Sequence, residues 1–158
     1  MKEIKITALI RSFSPEEVPA RYCDIIDAAK AATTRAYAPY SHFHVGAAIR
    51  LDNGEVVCGS NQENVAYPSG TCAERTACFA AGAAWPEAKF ECIAIAARGI
   101  DGSEQPHPIA PCGACRQSLL EYETLAGHPV EVLLVGANAI YRLPSIKSLL
   151  PLAFTEFH

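Results

Sequence analysis

Long apolar runs are missing from this sequence. No stretch reaches the roughly 20 residues that a membrane-crossing helix needs. The opening residues, Met1-Lys2-Glu3-Ile4-Lys5, lead into alternating polar and apolar positions and hold no apolar signal core. Clusters of lysine and arginine are missing too. With 13 basic against 17 acidic residues the formal charge is −4, so the chain offers no basic stripe to a polynucleotide backbone. Repeats and linkers rich in Gly, Ser or Pro are also lacking, so the 158 residues read as one domain. The absences together predict a cytoplasmic, globular protein without membrane or nucleic-acid partners, acting on small molecules of little charge. Half of the residues are apolar, enough for a core at this length.

Cysteine, by contrast, is plentiful. Seven is an odd count, and a secreted disulfide scaffold is normally shorter and even-numbered. Three of the seven fall in Thr71-Cys72-Ala73-Glu74-Arg75 and Pro111-Cys112-Gly113-Ala114-Cys115-Arg116, a Cys-x-Glu followed by Pro-Cys-x-x-Cys. Three thiolates can hold one zinc ion and leave its fourth tetrahedral position open, the layout of a catalytic site. Glu74 would lie beside that open position and could shuttle a proton. Both half-sites sit at predicted helix starts, where the positive dipole end favours thiolates. Three thiolates on one Zn²⁺ sum to −1, so Arg75 and Arg116 are expected as donors to sulfur, Arg75 first. A dithiol redox centre at Cys112 and Cys115 is a second reading of the same pair. A structural site closed by Cys78 is a third, disfavoured because Cys72 and Cys78 are about 9 Å apart along one helix. Cys23, Cys58, Cys78 and Cys92, set among apolar neighbours, are expected to be buried thiols.

In chain order, residues 4–12 alternate enough for a strand or extended arm. Ser14-Pro15-Glu16-Glu17 carries a capping box, and helical spacing predicts a long first helix over residues 19–38. A hairpin follows, with strands at 43–49 and 56–60 around Asp52-Asn53-Gly54. A helix is predicted over 72–84, a doubly buried strand over 90–97, a helix from 111 to 124, strands at 130–135 and 139–143, and a short helix at 145–150. That order gives an α/β chain with a mixed sheet of about five strands and helices on both sides.

These motifs, with Asn61-Gln62-Glu63-Asn64 and Tyr37-Ala38-Pro39-Tyr40-Ser41-His42-Phe43, resemble the small homotetrameric cytidine deaminases from about residue 29 to the tail at Phe154. The resemblance implies a three-layer α/β/α fold, one zinc per chain held by Cys72, Cys112 and Cys115, and Glu74 as proton shuttle. It implies that Phe43 packs on the pyrimidine, Asn61 and Glu63 hydrogen-bond the ribose, and the backbone of Ala73 holds the base edge. Arg75 would bond the thiolates, and Tyr67 and Phe154 would reach a neighbouring subunit's pocket, completing the sites only in the tetramer. The implied reaction is hydrolytic deamination of cytidine and 2′-deoxycytidine in pyrimidine salvage. Rival readings are deamination of another aminopyrimidine such as blasticidin S, of a polynucleotide cytosine, or a non-catalytic zinc or redox module. His42, His44 and Ser69 depart from the family pattern, and residues 1–14 extend beyond its core.

Overall fold

The structure is a computed structural model that describes residues 1–156. In chain order its elements are β1 (Arg11–Phe13), α1 (Cys23–Ala32), β2 (His44–Leu51), β3 (Val56–Ser60), α2 (Ala73–Ala84), β4 (Phe90–Arg98), α3 (Gly113–Ala126), β5 (Glu131–Val135) and β6 (Ile140–Leu143), with short 3-10 turns between several of them. The strands form one sheet in the order β1-β6-β5-β4-β2-β3. Only β4 and β5 run parallel, joined through α3.

Alternation along the central strands divides the core into two layers. Ile93, Ile95, Val132 and Leu134 face α2 and α3 and pack with Ala77, Cys78 and Leu119. Cys92, Ala94, Ala96, Leu133 and Val135 face the other way, onto Tyr22, Ile25 and Ala29. The result is the three-layer α/β/α arrangement expected, built on a strand that is apolar on both faces. Close packing is written into one glycine: a Cβ on Gly59 would stand 2.3 Å from Ala77 N and 2.4 Å from Ala73 O. Its absence lets β3 touch the backbone of α2, the helix whose first residues carry the motif.

Several expectations need correction. The sheet has six strands, because the chain before α1 contributes β1 antiparallel to β6. The strand expected over 4–12 is confined to Arg11–Phe13, since β6 offers partners only at Ile140, Tyr141 and Arg142. The first helix is shorter than predicted. Thr33 and Thr34 donate their hydroxyls to Lys30 O (2.6 Å) and Ala31 O (2.8 Å), and the chain tightens into a 3-10 turn there. Residues 146–149 are also a 3-10 turn. Cys23 is exposed and Cys58 half-buried, so only Cys78 and Cys92 of the four are buried thiols.

Glu123 carries the tie that sequence reading passed over. This buried carboxylate accepts from Val130 N (2.8 Å), Ile146 N (2.7 Å), Ser145 Oγ (2.7 Å) and Lys147 N (3.2 Å). It fastens the end of α3 to the start of β5 and to the turn after β6.

Candidate metal and substrate site

Two helix starts meet at one end of the sheet. Cys72 is the N-cap of α2 and Cys112 the N-cap of α3, and neither spends its side chain on a capping hydrogen bond. Their sulfurs are therefore free to converge. Cys72 Sγ lies 3.9 Å from Cys112 Sγ, and Cys112 Sγ lies 3.4 Å from Cys115 Sγ in the first turn of α3. All three sulfurs fall within 4.8 Å of one another, and among the described residues they are the cluster of this kind.

A tetrahedral zinc with bonds of about 2.3 Å sets its sulfurs about 3.8 Å apart. The observed spacings bracket that value, so the donor set fits the ion. The charge also fits. Arg75 Nη2 donates to Cys72 Sγ at 3.9 Å, and Arg75 Nε is buried without a hydrogen-bond partner. A guanidinium so placed costs free energy unless the sulfurs beside it are anionic. Cys72 responds accordingly, while Cys115, the donor to it, is pushed up by that bond and by burial. The hydrogen bond from Cys115 draws Cys72 down to about 5 against the opposing effect of burial, with Arg75 and Cys112 adding to the pull. Cys78, in the same helix but surrounded by apolar atoms, is pushed up to about 12 by burial. It is no partner to the cluster.

Glu74 follows Cys72 by two residues and is 4% exposed. Burial raises its carboxyl above the usual carboxylate range. It opens on a cavity of about 370 Å³, within the usual span of small-molecule sites. Cys72, Ala73, Glu74 and Arg75 form its floor, Ile109 and Ala110 one wall, and Phe43, Asn61 and Glu63 the other. Hydrogen bonds hold that second wall. Asn61 Oδ1 accepts from Val45 N (2.8 Å) and Nδ2 donates to Phe43 O (2.9 Å), which fixes Phe43 at the mouth of β2. Glu63 accepts from Tyr40 N (2.9 Å), Ser41 N (3.2 Å) and Ser41 Oγ. Phe43 N in turn donates to Ser41 Oγ at 3.1 Å. His42 sits between them in the left-handed region, at φ 54°.

Residues 20–126 match the family model of the cytidine and deoxycytidylate deaminase zinc-binding region. The chain belongs to that family. A cytidine deaminase of Halalkalibacterium halodurans is 39% identical over 120 residues, 76% of this chain and 83% of that protein. One from Mycobacterium tuberculosis is 42% identical over 108 residues, 66% of this chain and 76% of that protein. The crystal structure of a Burkholderia pseudomallei cytidine deaminase superposes with a TM-score of 0.68 at 44% identity, covering 83% of this chain and 97% of that one.

For a chain of this family, most residues singled out from sequence stand together: Cys72, Cys112, Cys115, Glu74, Ala73, Arg75, Phe43, Asn61 and Glu63 all meet at the cluster or its cavity. Arg116 does not join them as a donor to sulfur. Its Nε donates to Pro111 O (2.8 Å) and its Nη1 to Leu149 O (2.9 Å), so it braces the chain leading into α3 against the tail. Tyr67 and Phe154 are absent from the cavity wall and lie 77% and 62% exposed. Tyr67 packs edge-on against Tyr40, with ring centroids 6.2 Å apart. Ser41 was passed over in the sequence, although its place two residues before Phe43, beside a turn, marks a side chain able to bond the local backbone.

Proposed function

We propose that this chain is a zinc-dependent cytidine deaminase that converts cytidine and 2′-deoxycytidine to the uracil nucleosides and ammonia. The single observation that carries the reading is the convergence of three sulfurs, two of which line one small cavity together with a buried carboxylate. Cys72, Cys112 and Cys115 hold the metal. Zinc, when bound there, acidifies a water molecule by several pKa units. Phe43 stacks on the pyrimidine, and the backbone of Ala73 positions its edge so that C4 faces the cluster. Glu74 takes a proton from the attacking water and delivers it to N3; it then takes the proton of the new C4 hydroxyl and passes it to the amine, which leaves as ammonia as the C4 carbonyl forms. Its burial keeps bulk water from competing for that proton.

Polar accounting favours a nucleoside. Three donors already occupy Glu63, leaving about one of four lone-pair sites free. Asn61 keeps one N–H and one lone pair after its bonds to Phe43 and Val45. One sugar hydroxyl can use the free Glu63 acceptor and the Asn61 donor together. The 3′-hydroxyl, present in both sugars, suffices for that, so both nucleosides are accepted. A 5′-phosphate finds little support: among the described residues Arg75 is the only cation lining the cavity, and it is committed to Cys72.

Residues 1–158 work as one catalytic domain, with residues 1–14 as an appendage to it. The active assembly is a homotetramer in which Tyr67 and Phe154 enter a neighbour's pocket. Their exposure as large apolar side chains supports that role. Seven free cysteines fit a reducing cytoplasm and a part in pyrimidine salvage. No helix among the described residues is long and apolar enough to cross a membrane.

Turnover tests the proposal. The zinc-loaded protein, given cytidine, 2′-deoxycytidine, 2′-deoxycytidine 5′-phosphate, blasticidin S and a single-stranded oligonucleotide, should deaminate the two nucleosides at least about a hundredfold faster than the others. Preference for any of the others would replace the proposed substrate while keeping the reaction.

A further inference from the structure

Residues 3–11 read Glu-Ile-Lys-Ile-Thr-Ala-Leu-Ile-Arg. Ile4, Ile6, Ala8 and Ile10 share one face of an extended chain, and Glu3, Lys5, Thr7, Leu9 and Arg11 share the other. A period of two that holds from Glu3 to Ala8, with Leu9 the one apolar residue on the polar face, is the signature of a strand with one covered face. Among the described residues nothing covers that face. Residues 3–10 lie outside any strand, and Ile4, Ile6, Leu9 and Ile10 are between 52% and 79% exposed. β1 is the outermost strand of the sheet, so its far edge presents backbone groups without a neighbouring strand.

The sequence of this stretch is complementary to itself. With two copies laid antiparallel about a twofold axis through Thr7, Ile4 faces Ile10, Ile6 faces Ala8 and Thr7 faces Thr7. Glu3 faces Arg11 at both ends, and Lys5 meets Leu9. Apolar, Thr–Thr and opposite-charge pairs are the combinations that stabilise neighbouring strands. Adjacent registers do worse. Centring on Ala8 sets Lys5 against Arg11, and centring on Ile6 sets Lys2 against Ile10 and Glu3 against Leu9. We propose that residues 3–11 of one chain pair antiparallel with the same residues of a second copy, about a twofold axis through Thr7, joining two sheets edge to edge.

Such a contact is isologous and closes on itself. It is separate from the catalytic cavity: no residue of 3–11 lines it, and the stretch precedes the matched residues 20–126. The interface therefore forms whether or not the proposed reaction is correct.

Cross-linking at the axis tests it. Residues directly opposite in antiparallel strands have Cα atoms about 4.5–5.5 Å apart, within disulfide reach. The full-length chain with Thr7→Cys, treated with diamide, should run mainly as a covalent dimer on a non-reducing gel. Lys5→Cys and the unsubstituted chain, which controls for the native cysteines, should not. Adding Glu3→Arg to Thr7→Cys sets like charges opposite each other twice and should cut the dimer roughly fivefold. Adding Arg11→Glu as well should restore it. Absence of the Thr7→Cys dimer, equal cross-linking at positions 5 and 7, or indifference to the charge reversal would each overturn the proposal. Deamination should be unchanged by Glu3→Arg, which distinguishes loss of the interface from loss of the site.

Discussion

The sulfurs of Cys72 and Cys112 lie 3.9 Å apart across forty residues of chain because each residue caps a helix that packs on the same face of the sheet. The two helix starts need no metal to find each other, since α2 and α3 are already held by Ala77, Cys78 and Leu119 against the central strands. Ligand loss should therefore empty the site without unfolding the chain. Cys112→Ala is expected to fall from one zinc per chain to nearly none while its circular dichroism stays that of the parent. Cys23→Ala, at an exposed thiol remote from the cluster, should keep its zinc.

The two arginines beside the motif separate by their partners. Arg75 donates to Cys72 Sγ, whereas Arg116 donates to Pro111 O and Leu149 O. Arg75→Ala should weaken zinc binding or turnover by about 10–100-fold, the usual cost of losing a group that supports a ligand. Arg116→Ala should act on stability, losing about 1 kcal/mol per hydrogen bond. Competition with a zinc chelator and thermal melts of the two variants distinguish the roles.

That division marks the limit of what the residues disclose by themselves. Cys72, Glu74, Cys112 and Cys115 were legible because a helix start and a spacing of two or three residues are local properties of the chain. Arg75 shares them. Arg116 looks equivalent in sequence, but its partner Leu149 O comes from 33 residues away. Glu123 was silent for the same reason: its four donors belong to segments that meet only in the folded chain. The period of two over residues 4–12 suggested a strand or extended arm, but a strand also needs a partner, and β6 provides one only for Arg11–Phe13.

Gly59 sets the height of α2 above the sheet. A Cβ there would meet Ala77 N at 2.3 Å and Ala73 O at 2.4 Å, both backbone atoms that cannot swing aside. Gly59→Ala should push the helix start outward and destabilise the chain by about 1–3 kcal/mol. Because the same helix start carries Cys72 and Glu74, the variant should also bind zinc less tightly, measurable by the same chelator competition. A change in melting temperature with unaltered zinc affinity would show that the helix shifts at its far end instead.

Acid should expose the ion-pair network behind α1. Burial raises the Glu131 carboxyl, but hydrogen bonds from Arg142 and Tyr22 outweigh it and hold the group below its ordinary value of 4.5. A carboxyl depressed in the folded state adds stability above its unfolded value and loses it as pH falls through the folded one. The contribution of Glu131 should thus be full at pH 7 and fade below about 4.5. Glu131→Gln should melt lower than the parent at pH 7, and the gap should narrow by pH 3.5. A gap independent of pH would mean the charge of Glu131 is not what stabilises.

Turnover by Glu74→Gln, measured together with zinc content, tests the central claim most directly. The substitution keeps the shape of a side chain that is almost fully buried and removes only its ability to carry a proton. Cytidine should be converted to uridine by the parent, with one ammonia released per uridine. The variant should hold one zinc per chain and be slower by at least about 10²–10⁴-fold. Turnover near that of the parent in a zinc-loaded Glu74→Gln chain would contradict the account.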